Sequence, residues 1–76
     1  MESPQEVVDL RGLKCPLPAL MARRYLARAP ARCVVVVLTD DPMAPVDVPH
    51  MCANEGFEVL EVQRMGDESR MRLRKP

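Results

Sequence analysis

Cysteine is the most nucleophilic side chain in this sequence, and Cys15 has the surroundings that say most about chemistry. It follows a short apolar run that ends at Asp9, and it precedes an Ala/Leu/Arg-rich segment, residues 19–29, that is typical of a helix. The first N–H groups of a helix lack internal partners, and the helix dipole favours negative charge there. We therefore expect Cys15 to cap or nearly cap this helix, with a lowered pKa and a reactive thiolate.

Five neighbours are expected to position or activate this cysteine: Arg11, Gly12, Lys14, Pro16 and Pro18. Gly12 lets the backbone turn without a side-chain clash. Pro16 suits the first helical position, where its missing N–H would be unpaired anyway, and Pro18 fits within the first turn. Arg11 and Lys14 add positive charge, which lowers the pKa of a thiol. The alternative is a helix that begins at a cysteine with no chemical role.

The other two cysteines and the single histidine give weaker signals. Cys33 begins an apolar run and is interpreted as a small buried residue, while Cys52 falls on the apolar face of a predicted second helix. A zinc site with His50 as the fourth ligand is disfavoured, because the chain has no Cys-x-x-Cys and His50-x-Cys52 is not a usual ligand spacing. We expect no metal and no cofactor, and we interpret His50 as a surface residue.

Length and composition predict one small domain over residues 1–76, with residues 1–6 as a loose tail. Eleven basic and eleven acidic residues cancel, which argues against an electrostatic grip on nucleic acid. No apolar run is long enough to span a bilayer, and the polar N-terminus lacks the apolar core of a signal peptide. An odd number of cysteines does not suggest a disulfide framework, so we expect free thiols and a cytoplasmic location.

The pattern of apolar residues predicts the element order β-α-β-α-β-β. The predicted strands cover residues 7–10, 33–38, 57–65 and 69–74; the first helix covers 16–29, and the second is capped by Asp47 and stopped by Gly56. The first helix joins two parallel strands by a right-handed crossover, and the last two strands form a hairpin. This order favours the α/β (α+β) class, as a two-layer sandwich in which a four-stranded mixed sheet carries both helices on one face.

This topology places the cysteine loop at the carboxyl ends of the parallel strands, where open α/β sheets carry their sites. The loop after the second strand, which contains Asp40 and Asp41, should be its neighbour. The two aspartates would raise the pKa of Cys15 if they came close to it. We expect the helix end to outweigh them, and we expect the aspartates to cap the neighbouring loop or helix.

Two surfaces allow alternative interpretations. Leu17 and Leu20 either pack against a loop, which we favour, or form an apolar rim beside Cys15 on which a partner docks. The run 33–38 is apolar on both sides, although the helices cover only one. Arginine stems from the last strand would cover the open face, or it would bind a partner or a second copy. The mixed alternation over residues 57–65 predicts a bulge or a covered second face.

A family resemblance is carried by residues 9–13, DLRGL, followed by residues 15–18, CPLP. These segments resemble the signature of the TusA/SirA family of small sulfur-carrier proteins, whose hallmark is Cys-Pro-x-Pro. The likeness continues at residues 23, 38–42, 47–49, 52, 56 and 74–75, so that it covers about residues 7–75. An ordered set of this kind is specific, whereas a lone Cys-Pro would be weak.

The resemblance implies that Cys15 carries sulfur as a persulfide on the fold described above. It implies a sulfurtransferase-like carrier that needs a donor, such as a cysteine desulfurase or a rhodanese-like protein, and an acceptor protein. The pathway served would be tRNA thiolation, cofactor sulfur supply, sulfur oxidation or selenium handling. The resemblance carries over Arg11, Gly12, Pro16 and Pro18 as positioning residues only.

Two other function classes compete with a sulfur carrier. A thiol redox module would use Cys52 to resolve an oxidised Cys15, and a regulatory interaction module would not need the Cys15 thiol at all. The chain departs from the family where residues 29–32 lack the glycine common at this helix exit and where the aspartate at residues 40–41 is doubled. Neither departure touches the thiol. We expect a monomer or a weak dimer.

Overall fold

The computed structural model of the chain describes residues 5–76. Its elements follow the predicted order: β1 (Gln5–Asp9), α1 (Leu17–Arg28), β2 (Val34–Thr39), α2 (Ala44–Glu55), β3 (Glu58–Met65) and β4 (Glu68–Arg74). β1 begins at Gln5, so residues 5 and 6 belong to the first strand and not to the expected tail over residues 1–6. Residues 1–4 of that tail lie outside the described residues. Neither helix is both long and apolar enough to cross a membrane.

The four strands form one mixed sheet in the order β1-β2-β4-β3. β1 and β2 are parallel, with Val7 opposite Val36, and α1 connects them. β4 runs antiparallel to both of its neighbours, and the hairpin with β3 contains a register shift between Val59 and Glu61. The predicted α/β sandwich and the predicted bulge in the third strand are therefore confirmed.

The core lies between the sheet and the two helices, which cover the same face. Alternate residues of β2 and β4, such as Val35 and Leu73, point towards the helices and are fully buried. One cluster of buried residues joins both layers: Val8, Leu10, Ala22, Leu26, Cys33, Val35, Val37, Ala44, Val48, Met51, Cys52, Met71 and Leu73. With no tryptophan in the chain, these aliphatic and sulfur-containing side chains supply the packing.

The opposite face of the sheet is covered in its centre by arginine side chains. Val36 is fully buried although it lies outside the core cluster, and its cross-strand neighbour is Arg72. The guanidinium of Arg72 lies 3.8 Å from Glu61 on β3. Val7, at the edge of the same face, is 62% exposed. Long arginine stems therefore shield the middle of this face and leave its β1 edge open.

α1 begins within one residue of its predicted start, whereas α2 begins earlier than predicted. The cap of α1 is Pro16, next to Cys15, and Pro18 lies in the first turn, as predicted, where it is buried. α2 begins at Ala44, three residues before Asp47, because Asp41 satisfies its first amides: the Asp41 carboxylate accepts the N–H of Met43, and its carbonyl accepts that of Ala44.

This earlier start changes the role of Asp47. The residue is not the helix cap; it lies in the first turn of α2. Pro45 is tolerated near the start of the helix, where a missing N–H costs nothing. Pro49 lies inside α2 and has no N–H to donate to the carbonyl of Pro45. The helix nevertheless continues through this residue to Glu55. Gly56 ends the helix in the left-handed conformation, with φ of 80°, as predicted.

Candidate functional site

The loop that carries Cys15 is tied to the end of β2. The Leu10 N–H donates to the carbonyl of Leu38 at 2.8 Å, and the Gly12 N–H donates to Asp40 Oδ1 at 2.9 Å. Gly12 has φ of 90°, in the left-handed region that favours glycine. The predicted proximity of the two loops is confirmed, and Asp40 caps its neighbouring loop as expected.

Cys15 is exposed, and its thiol is hydrogen-bonded to a carboxylate. The Sγ of Cys15 donates to Asp47 Oδ2 at 2.9 Å. This contact raises the pKa of the Cys15 thiol; partial desolvation and the charges of Asp47 and Asp41 act in the same direction. The expectation of a lowered pKa is therefore wrong for the structure as it stands, because the nearest charges to the sulfur are negative.

The groups expected to activate Cys15 do not contact its sulfur. The guanidinium of Arg11 forms two hydrogen bonds with the carboxylate of Asp9, at 2.9 and 2.8 Å, and lies 3.6 Å from Glu68. Lys14 is exposed, and its carbonyl accepts the N–H of Leu17 at 2.8 Å. The first amide of α1 is thus bonded within the loop and does not reach the sulfur. Neither positive side chain is among the groups that shift the pKa of the Cys15 thiol.

An open groove with a volume of about 360 Å³ runs from Cys15 between the two helices. Its lining comes from the end of the cysteine loop, from one face of α1 and from one face of α2: Cys15, Pro16, Ala19, Leu20, Arg23, Asp47, His50, Met51, Asn54 and Glu55. The spacing of three or four residues along each helix places these side chains on a common face. A larger groove, of about 430 Å³, lies beside Tyr25 and Arg28 and contains no cysteine.

Leu17 and Leu20 are both exposed, at 45% and 43%. The favoured expectation, that they pack against a loop, is wrong, because α1 turns this side towards solvent. Of the two leucines that the alternative placed beside Cys15, Leu20 lines the groove with it and Leu17 does not. The groove therefore combines a thiol with an apolar side chain that is not used by the core.

His50 is exposed, as predicted, and lines the groove one helical turn after Asp47. The thiol proton is nevertheless directed to Asp47 and not to the imidazole. The pair formed in this structure is a cysteine–carboxylate pair.

The remaining two cysteines are buried and free. Cys33 and Cys52 are 2% and 0% exposed, and Cys33 makes only a long contact to the carbonyl of Val34. Burial raises the pKa of Cys52 to about 11. The predictions that both pack in the interior are confirmed. Within residues 5–76, no group of three or more His, Cys, Asp or Glu side chains is arranged to hold a metal ion.

Asp47 is the site residue that the sequence did not identify. Because the sequence predicts Asp47 as the cap of the second helix, its carboxylate is expected to accept backbone N–H groups and not to contact Cys15. Beginning α2 at Ala44 would have placed Asp47, His50, Met51 and Asn54 on one face, at helical spacing. A second signal was the position of Asp47 within the family resemblance.

The fold and the site define a class: small two-layer α/β proteins that present a single exposed cysteine immediately before a helix, beside an open groove. The profile of the family described as sulfurtransferase TusA matches residues 6–75. The chain belongs to the TusA family, and the resemblance drawn from its motifs is confirmed.

Two relatives agree with this assignment, and a solved structure shares the fold. A protein of Neisseria meningitidis serogroup A, named as a candidate sulfur carrier protein, is 41% identical over 56 residues, which cover 74% of this chain and 76% of the relative. An Archaeoglobus fulgidus protein with the same description is 33% identical over 60 residues, covering 79% and 78%. The crystal structure of a SirA-like protein from Desulfitobacterium hafniense shares the fold, with a TM-score of 0.76, 24% identity and coverage of 91% of this chain and 95% of that one.

Proposed function

We propose that the protein relays sulfur as a persulfide on Cys15, from a donor protein to an acceptor protein. The observation that carries this proposal is the contrast among the three cysteines. Cys15 is exposed at the mouth of a groove, whereas Cys33 and Cys52 are buried. A sulfur carrier needs one sulfur atom that two different proteins can reach in turn, and Cys15 alone meets this requirement.

The transfer is an exchange between a thiol and a persulfide. The Cys15 sulfur, as thiolate, attacks the outer sulfur of the donor's persulfide; a new S–S bond forms on Cys15 and the donor's S–S bond breaks. The donor leaves as a thiolate and takes up one proton, which balances the proton lost from Cys15. The sum is Cys15–SH plus donor–S–SH giving Cys15–S–SH plus donor–SH, with no net oxidation.

The groove between the helices supplies a surface for both partners. Leu20 is exposed there, and Arg23 and His50 add polar groups that a second protein can contact. The groove is open, so it admits a protein surface carrying a persulfide or an accepting thiol. A cysteine desulfurase or a rhodanese-like protein has the chemistry of the donor. Three free thiols fit a reducing compartment such as the cytoplasm.

The redox alternative receives little support from the geometry. A resolving cysteine must reach the oxidised sulfur, but Cys52 is fully buried and burial raises its pKa to about 11. Cys52 follows Asp47 by five residues, which turns it about 140° away around α2. The face of the helix that meets Cys15 is therefore not the face that carries Cys52.

The experiment is intact-mass analysis after incubation with a cysteine desulfurase and cysteine. We expect one added sulfur atom, which a reductant removes and which Cys15→Ser lacks. Cys52→Ala serves as the matched control, because it also removes one thiol, and it should still load. No adduct on the folded protein with either a desulfurase or a rhodanese-like donor, or an adduct that persists in Cys15→Ser, would overturn the proposal.

A further inference from the structure

A single side-chain contact joins the cysteine loop to α2. Cys15 and Asp47 are 32 residues apart in sequence, yet Sγ lies 2.9 Å from Oδ2. Asp47 is held by the first turn of a regular helix and is half-buried, so its carboxylate has a defined position. Cys15, in contrast, lies in an exposed turn. The helix therefore places the carboxylate beside the thiol.

The charge of Asp47 is not neutralised by the groups that face it. Arg23 and His50 line the same groove, but neither forms an ion pair with Asp47 among the described residues. Lys14 precedes Cys15 and is exposed, but the charges that act on the thiol are those of Asp47 and Asp41. The sulfur therefore sits in a negative environment, which favours the protonated form of a thiol.

We propose that Asp47 is a positioning residue for sulfur transfer, which aims the Cys15 sulfur at the groove and keeps the empty carrier as a protonated thiol. This inference rests on the proposed persulfide function. The raised pKa of Cys15, to which the hydrogen bond that its thiol donates to Asp47 makes the largest contribution, agrees with the geometry. Asp47 acts through Cys15 and does not itself react with sulfur.

The contact requires a proton on the sulfur atom that it holds. A thiolate at Cys15 has no proton to donate, and its negative charge is repelled by the carboxylate. The inner sulfur of a persulfide is uncharged, but it also has no proton to donate. The contact is thus specific to the empty state. It keeps the thiolate fraction low while no partner is docked, and a low thiolate fraction limits reaction with small oxidants and electrophiles.

The test is the pH dependence of alkylation by iodoacetamide, followed at Cys15 by peptide mass. Asp47→Asn keeps the size and removes the charge, and it should shift the midpoint of the rate profile to lower pH. We expect alkylation at pH 7 to become roughly three- to tenfold faster. Glu55→Gln is the matched control: it removes the same charge from the same groove without a contact to sulfur, and it should leave the midpoint within experimental error.

An unchanged midpoint in Asp47→Asn would overturn the proposal, as would an equal shift in Glu55→Gln. A second measurement does not depend on the folding of any variant. The ¹³Cβ resonance of Cys15 in the unaltered protein should titrate at higher pH than that of an unstructured cysteine peptide; a midpoint at or below the peptide's would also overturn it. Alkylation needs no sulfur donor, so absent loading with the Asp47→Asn shift intact would reject the persulfide function alone.

Discussion

The ammonium of Lys75 caps the end of α1 by donating to the carbonyl of Ala29 at 2.8 Å. The same Nζ donates to Ala27 at 2.9 Å, so one side chain near the C-terminus satisfies two carbonyls at the helix exit. The backbone N–H of Lys75 also bonds to the carbonyl of Cys33. Residues 29–32 contain no glycine to end the helix, and Lys75 takes over part of that task by satisfying carbonyls that have no partner within the helix.

Replacing Lys75 by methionine should therefore weaken the fold. Lys75→Met keeps the length of the side chain but removes both hydrogen bonds to the helix end, and we expect the free energy of unfolding to fall by about 1 kcal/mol. Urea unfolding followed by circular dichroism measures this change. Arg28→Met removes a positive charge from the last turn of α1 without these bonds, and it should cost less. An equal loss in both variants would mean that helix dipole and charge explain the effect.

The order of elements was predictable because each rests on a local pattern. The β-branched run of β2 and the alternation of β4, with Met71 inward and Arg72 outward, identify their strands within one residue of the observed bounds. The start of α2 was not predictable in the same way. α2 begins early because Asp41 accepts hydrogen bonds from the N–H groups of Met43 and Ala44. These hydrogen bonds depend on the conformation of the folded loop and not on a local sequence pattern.

The same distinction applies to the candidate site, whose position was predictable and whose electrostatics were not. The position of Cys15 follows from its motif and from the topology of a βαβ unit. The direction of its pKa shift depends on which charged side chains meet in space. Arg11 is drawn to Asp9, and Asp47 is brought to the sulfur by a helix that starts earlier than its composition suggested. Arg11 is closer than Asp47 to Cys15 in the sequence, but Asp47 is the charged residue that contacts the Cys15 sulfur in the structure.

The buried Cys52 should matter for stability and not for sulfur loading. Cys52→Ala leaves a small cavity in a fully buried position, and we expect the free energy of unfolding to fall by about 1 kcal/mol. Cys52→Ser places a hydroxyl among apolar side chains and should cost about 1–3 kcal/mol. Denaturant unfolding and intact-mass loading assays measure the two properties. Loss of loading in a folded Cys52→Ala protein would contradict this prediction and favour a resolving cysteine.

Stability should decline in acid partly through Asp9. The hydrogen bonds from Arg11 lower the pKa of Asp9 from 3.8 to about 2 in the folded protein. A carboxyl with a depressed pKa stabilises the fold above its unfolded pKa, and this contribution is lost as the pH falls from about 4 to about 2. Asp9→Asn should show a shallower fall of the urea midpoint over this range, whereas Glu6→Gln, on the same strand, should follow the unaltered protein. Identical profiles for Asp9→Asn and the unaltered protein would contradict the assignment.

Leu26 and Leu20 lie less than two turns apart on α1 and should separate stability from partner binding. Leu26 is fully buried in the core, so Leu26→Ala should lower the free energy of unfolding by about 3 kcal/mol, a large part of the total for a small domain. Leu20 is exposed in the groove, so Leu20→Ala should change stability by about 0.5 kcal/mol or less. The same substitution should nevertheless slow sulfur loading from a protein donor, because it removes an apolar contact beside Cys15. Chemical denaturation and loading rates test the pair; normal loading of Leu20→Ala would exclude this part of the groove from the docking surface.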